Sequence, residues 1–193
     1  MHETVWLGRG GQGAFTAARL LGIAAMLSGK QAMALPSFGP ERRGAPVFAY
    51  TRIDESKIYD RCAVRCADVA VVLDESLLTQ VATSFLTSQT LLILDAENEE
   101  DSSSQTPPGL ERVARIVRVP ARRIARQVIG SEHTNSVLFG ALVGLTGVVS
   151  TLAGEEAIRR ELGGGSKGIK NLDAFRQAWA LGEQLSRESA GHV

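Results

Sequence analysis

Cysteine is nearly absent from this chain, with only Cys62 and Cys66 among 193 residues. Two thiolates are too few for a ferredoxin-type cluster held by four. A zinc site would need further ligands, and His2, His133 and His192 stand at no metal spacing to the cysteines, so no metal site is expected. The pair reads as two ordinary cysteines on one element in a reducing compartment. An excess of charge is also missing: Lys and Arg total 21, as do Asp and Glu. Nucleic-acid binding calls for a strong basic surplus, so that partner is excluded. No apolar run reaches the roughly 20 residues that cross a bilayer, which argues against a membrane partner. The start, Met1-His2-Glu3-Thr4, has no basic n-region, and a cytoplasmic location is expected. What remains is ordinary for a globular protein, with 44% hydrophobic and 22% charged residues. The length suits one domain, residues 1–193, with a substantial core.

The apolar pattern predicts strands alternating with helices. Thr4 to Leu7 reads as a short buried strand that ends at a glycine cluster. Ala14, Ala17, Ala18, Leu21, Ala24 and Ala25 then fall at helical spacing, and their small side chains suit close packing on a sheet. Further strands are expected at Gln31 to Leu35, Pro46 to Ile53, Val69 to Leu73, Leu91 to Leu94 and Ile116 to Val119. The run Val69 to Leu73, closed by Asp74, has the character of a central strand buried on both faces. Helices are expected at Ser76 to Ser84, from Pro120 to about Ile129, through Val137 to Val149, across Glu155 to Arg160, and from Leu172 to about Arg187. The fold class is therefore α/β, a single domain with a mainly parallel sheet flanked by helices and a helical C-terminal part. Ligands of such sheets gather at the carboxyl ends of the strands. Trp6 and Trp179 read as core or boundary residues rather than ligand stackers.

Gly8-Arg9-Gly10-Gly11-Gln12-Gly13 fits Gly-x-Gly-x-x-Gly between a strand and a helix. Glycines there permit close backbone approach, and free N–H groups at the helix start attract phosphate or carboxylate. A dinucleotide site would also need an acid at the end of the second strand. Leu35-Pro36-Ser37-Phe38 stands there instead. The motif alone leaves open a packing turn, an anion site or, least favoured, a dinucleotide. The loop between the second and third strands is the other unusual segment. Pro36, Pro40 and Pro46 stiffen it, Gly39 and Gly44 permit sharp turns, and Arg42 and Arg43 project guanidinium groups suited to carboxylate or phosphate. Glu41 could pair with one of them at a simple surface.

Taken together, the glycine loop and Ala34-Leu35-Pro36-Ser37-Phe38-Gly39-Pro40-Glu41-Arg42-Arg43-Gly44-Ala45-Pro46-Val47 resemble the gamma subunit of pyruvate and related 2-oxoacid:ferredoxin oxidoreductases. Val69 through Leu78, Asn135 through Val149 and Asn171 through Phe175 extend the resemblance over nearly the whole chain. Cys62, Cys66 and the serine-rich stretch at Ser102 to Pro108 lie outside it. The resemblance implies an enzyme that converts a 2-oxoacid, coenzyme A and oxidised ferredoxin to an acyl-CoA, carbon dioxide and reduced ferredoxin. The Gly44-Ala45-Pro46 ending looks like the pyruvate or branched-chain classes. Thiamine diphosphate, Mg2+ and the iron–sulfur clusters would then sit in partner subunits, one thiamine-binding and one ferredoxin-like, with no catalytic residue on this chain. Gly8, Gly10, Gly11, Gln12 and Gly13 are the candidate coenzyme A or anion site. Ser37, Phe38, Glu41, Arg42 and Arg43 are the candidate subunit interface or channel rim. The competing readings are a free-standing nucleotide-binding module and an NAD-dependent reductase.

Overall fold

A computed structural model describes residues 1–37, 44–81, 83–96, 110, 113 and 115–190. Six strands, β1 (His2–Arg9), β2 (Gln31–Ser37), β3 (Pro46–Asp54), β4 (Val69–Val72), β5 (Leu91–Asp95) and β6 (Arg115–Val119), form one sheet. The helices are α1 (Ala14–Leu27), α2 (Ala121–Ile124), which runs on into a π-helical turn at Ala125–Ile129, α3 (Asn135–Thr146), α4 (Thr151–Leu162) and α5 (Ser166–Ala190). The strand order is β2-β3-β1-β4-β5-β6. The β1–β4, β4–β5 and β5–β6 pairs are parallel, while β3 pairs antiparallel with both β1 and β2. Only β3 therefore runs against the other five, and the sheet is mixed as well as mainly parallel.

Alternation along the strands divides the core in two. Trp6, Ala49, Val71 and Ile93 face one way, into a cluster that takes the buried residues of all five helices. The alanines of α1 lie fully buried there, as their spacing predicts. Thr51 secures the contact, since its hydroxyl donates to the Ala18 carbonyl at 2.9 Å and accepts from the Trp6 indole at 3.1 Å. Val5, Leu7, Ala70, Val72, Leu92 and Leu94 face the other way. Among the described residues no α-helix covers that side. Short irregular segments carrying Val64, Ala67, Leu77, Leu78, Phe85 and Leu86 do so instead.

Two differences from the sequence expectation follow from this one-sided arrangement. The stretch expected as a helix from Ser76 to Ser84 forms only a 3₁₀ turn at Glu75–Thr79. The β-branched Thr79, Val81 and Thr83 have low helix propensity, and an isolated stretch this short gains too little to propagate. Cys62 and Cys66 are free and exposed on a segment that is neither helix nor strand, rather than on a regular element. That segment is pinned by Arg52, which is 2% exposed and pairs with Glu3 at 2.7 Å and Asp60 at 3.4 Å.

Helix α3 is the axis of the helical layer, and ten of its twelve residues are buried. It lies so close to α5 that a Cβ at Gly144 would run into the Trp179 carbonyl, and one at Gly182 would come 2.6 Å from the Ala141 carbonyl. The neighbours are backbone atoms and cannot swing aside. Gly144→Ala is expected to lower stability by about 1–3 kcal/mol through overpacking. Gly164→Ala, where a Cβ meets nothing within 4 Å, is expected to stay within about 0.5 kcal/mol of the parent. Urea denaturation followed by circular dichroism separates the two.

Candidate functional site

Because β1, β4, β5 and β6 run parallel, their carboxyl ends share one rim. The glycine loop leaves β1 at that rim, and Asp74 follows the end of neighbouring β4. Arg9, inside the loop, joins them. Its Nε donates to Asp74 Oδ2 at 2.7 Å, one terminal nitrogen donates to Ser76 Oγ at 2.7 Å, and the other to the Gly44 carbonyl at 3.1 Å. The Gly10 amide donates to the Ala45 carbonyl at 3.0 Å. The glycine loop is thereby bonded to the last residues of the proline-rich loop and to the turn after β4.

Gln12 is half-buried and directed inward: its Oε1 accepts from the Arg9 amide at 2.6 Å, and its Nε2 lies 3.4 Å from Asp74 Oδ2. It braces the loop from inside rather than presenting an amide to solvent. Gly8 is buried beneath it, while Gly11 is exposed at φ +98° with nothing within 4 Å of a Cβ built there. Gly13, at φ +85°, precedes α1, and a Cβ on it would come 2.9 Å from Asn135 Nδ2 at the start of α3. Both the turn and the neighbour require glycine. Ser37 ends β2 opposite Phe48, and Phe48 also stands opposite Leu7 of β1, which puts Ser37 at the same edge of the sheet. Phe38, Glu41, Arg42 and Arg43 lie outside the described residues.

The rim continues with paired charges. Arg118 reaches Glu75 at 3.2 Å, and Arg122 reaches the buried Asp95 at 3.1 Å. Arg9, Asp74, Ser76 and Asn135 were not among the candidates drawn from sequence. Arg9 occupies a variable place in the glycine motif, and its partner stands 65 residues away. Polar residues closing two buried strands were the available signal, but their adjacency depends on the strand order.

That order also bears on the dinucleotide reading. β3 is inserted between β1 and β2, so the end of β2 lies two strands, about 10 Å, from the glycine loop. The acid that would bind a ribose is displaced from reach, and β2 ends in Leu35-Pro36-Ser37 without one. Nor do Cys62 and Cys66, exposed and only two, fit a four-thiolate cluster. No helix among the described residues is long and apolar enough to cross a membrane.

A mixed α/β sheet with helices packed on one face and a braced glycine loop at its rim defines the class of this domain. The chain belongs to the family described as pyruvate ferredoxin/flavodoxin oxidoreductase, whose pattern matches residues 3–181. Its likeness is to whole gamma-type chains. The common subunit gamma of the pyruvate/ketoisovalerate oxidoreductases of Thermococcus litoralis is 41% identical, over 93% of this chain and 96% of that one. Pyruvate synthase subunit PorC of Methanothermobacter thermautotrophicus is 38% identical, over 96% and 98%. The crystal structure of pyruvate oxidoreductase subunit PORC from Thermotoga maritima superposes with a TM-score of 0.76 at 32% identity, covering 93% of this chain and 95% of that one. These relatives give no support to a free-standing nucleotide-binding module or an NAD-dependent reductase.

The Arg9–Asp74 pair has a consequence for acid stability. Burial pushes the Asp74 carboxyl up, but hydrogen bonds from Ser76 and Arg9 and the Arg9 charge outweigh it, leaving the group below its ordinary value. A carboxyl depressed in the folded state adds stability above its unfolded pKa of about 3.9 and loses it as pH falls through the folded value. Asp74→Asn is therefore expected to lower stability at pH 7 and to flatten its fall below about pH 4. Thermal unfolding of both proteins between pH 2 and 7 checks this.

Proposed function

We propose that this chain is the gamma subunit of a coenzyme A-dependent 2-oxoacid:ferredoxin oxidoreductase acting on pyruvate or a branched-chain 2-oxoacid. In this reading it carries no thiamine diphosphate, Mg2+ or iron–sulfur cluster of its own. Those belong to thiamine-binding and ferredoxin-like partner subunits, and ferredoxin takes the electrons from the assembled enzyme. The chain's part is to dock on the catalytic subunits and border the channel for coenzyme A and substrate. The observation that carries this is the bonding of the glycine loop to the end of the proline-rich loop through Arg9 and Gly10. Two loops tied at one rim form a pre-shaped surface, which lowers the ordering cost of docking.

The family resemblance supplies coenzyme A as the co-substrate, and the uncapped start of α1 suits its phosphates. With Gln12 directed inward, its part is to hold the loop's shape, and Gly11 is the outermost point of approach. In a reconstituted complex, Gly11→Val is expected to raise the KM for coenzyme A several-fold with assembly intact, through a side chain in the open space and backbone strain at positive φ. Gln12→Ala is expected to act in the same direction. An unchanged KM in both variants contradicts the channel role. For docking, the double replacement Arg42→Ala and Arg43→Ala is expected to reduce co-purification of the partner subunits, and full recovery of the complex contradicts that part.

A further inference from the structure

The segment between β3 and β4 carries both thiols of the chain and has no part in the carboxyl-end rim. β3 runs against β1, so its end at Asp54 and the start of β4 at Val69 lie at the opposite pole, where β1 begins. The segment is fixed at two points. Asp60 pairs with the buried Arg52, and its carboxylate accepts from the Cys62 amide at 2.8 Å. The Ala67 amide donates to the Phe85 carbonyl at 2.9 Å, and the Ala67 carbonyl accepts from Thr90 Oγ1 at 2.7 Å. Between these anchors Val64 is buried in the second core cluster, while Cys62 and Cys66, two residues to either side of it, are free and exposed. In an extended run all three would share one face. Here the chain bends at Cys62 and again at Arg65 and Cys66, so it folds about Val64 and leaves both cysteines outside.

Two thiols so placed have a chemistry of their own. Among the described residues no third His, Cys, Asp or Glu joins them in a group that could hold a metal ion. A disulfide requires Cα atoms about 4.4–6.8 Å apart, a separation that one closed turn supplies between residues i and i+4. Closing it moves only residues between the two anchors. With three residues between them, each thiol meets the other at a far higher effective concentration than it meets a thiol in solution. An accessible sulfur beside a second one that can resolve it is the arrangement of cysteines that exchange. Arg61 and Arg65, both exposed, precede the two cysteines, and the neighbouring Asp60 is engaged by Arg52, so the setting favours an anionic oxidant.

We propose that Cys62 and Cys66 form a reversible disulfide by exchange with a low-molecular-weight disulfide. One cysteine attacks the small disulfide, whose S–S bond breaks, and the first small thiol leaves with the proton. The other cysteine then attacks the protein-bound sulfur, and the second small thiol leaves in the same way. Two protein thiols are thereby oxidised by two electrons, and the small disulfide is reduced to two thiols. The bond spans the stretch that seats Val64, so it stiffens the cover over the second core cluster. Both cysteines lie outside the segments that carry the family resemblance, which makes this a property of the chain rather than of the shared gamma pattern.

The full chain, reduced and then freed of reductant without oxygen, is equilibrated with excess oxidised glutathione, alkylated and digested with trypsin. Cleavage after Arg61 and Arg65 places the cysteines on separate peptides, 62–65 and 66–112. The expected product is those two peptides joined, from a single chain whose intact mass has lost two hydrogens and recovers them in dithiothreitol. Cys62→Ser and Cys66→Ser are each expected to stop at a mixed disulfide, keeping one glutathione on the remaining sulfur. Glutathione retained on both cysteines of the parent, a disulfide only between chains, or thiols that stay reduced overturns the site. Trypsin cutting of the folded chain at Arg61 and Arg65 is expected to slow several-fold on oxidation, and an unchanged rate overturns the stiffening.

Discussion

The ion pair between Arg9 and Asp74 is the constraint on which the rim depends. It ties the glycine loop to the turn after β4, and the same guanidinium reaches the end of the proline-rich loop, which the Gly10 amide also holds through the Ala45 carbonyl. A single guanidinium on the glycine loop contacts the other two segments at hydrogen-bonding distance. Arginine suits this place because its planar fork donates in several fixed directions at once, which a lysine ammonium on a flexible stem does not. Gln12 completes the brace from beneath by holding the Arg9 amide.

The rest of the fold positions that brace. The parallel β1–β4 pair brings the two strand ends together, and the buried Val69 to Val72 run fixes β4 in the middle of the sheet. On the helical side, α3 is clamped against α5 by glycine contacts and presents its own start to Gly13. The rim is therefore assembled from the chain's first strand, its middle strand and a helix from its last third. Among the described residues the helices pack on one face, and irregular segments held by Leu77, Leu78, Phe85 and the buried Arg52 cover the other. The gamma-chain relatives are matched over nearly their full length, and the proposed role of the rim is to be the surface this chain offers to its partners.

Much of this was legible before any coordinates. The alanine spacing marks α1, the glycine loop marks its entry, and the all-apolar run at Val69 marks the central strand. The α/β class follows from those residues, and the resemblance from the glycine loop together with the segment Ala34 to Val47. Three features were not legible, for physical reasons. Strand order is a long-range property, so the insertion of β3 between β1 and β2 leaves no local mark. The segment after Asp74 has enough apolar residues for a helix but too many β-branched ones to propagate it. The pairing of Arg9 with Asp74 and the placing of Asn135 on Gly13 join positions 65 and 122 residues apart, and nothing in either neighbourhood names its partner.

The central claim is that the carboxyl-end rim is the surface this chain offers to a larger enzyme. Hydrogen–deuterium exchange of the free chain and of the assembled complex tests it most directly. Peptides covering 8–13, 44–46 and 73–77 are expected to gain protection on assembly, more than those of α4 and α5. Protection gained on the outer faces of α4 and α5, with the rim exchanging as in the free chain, would contradict it.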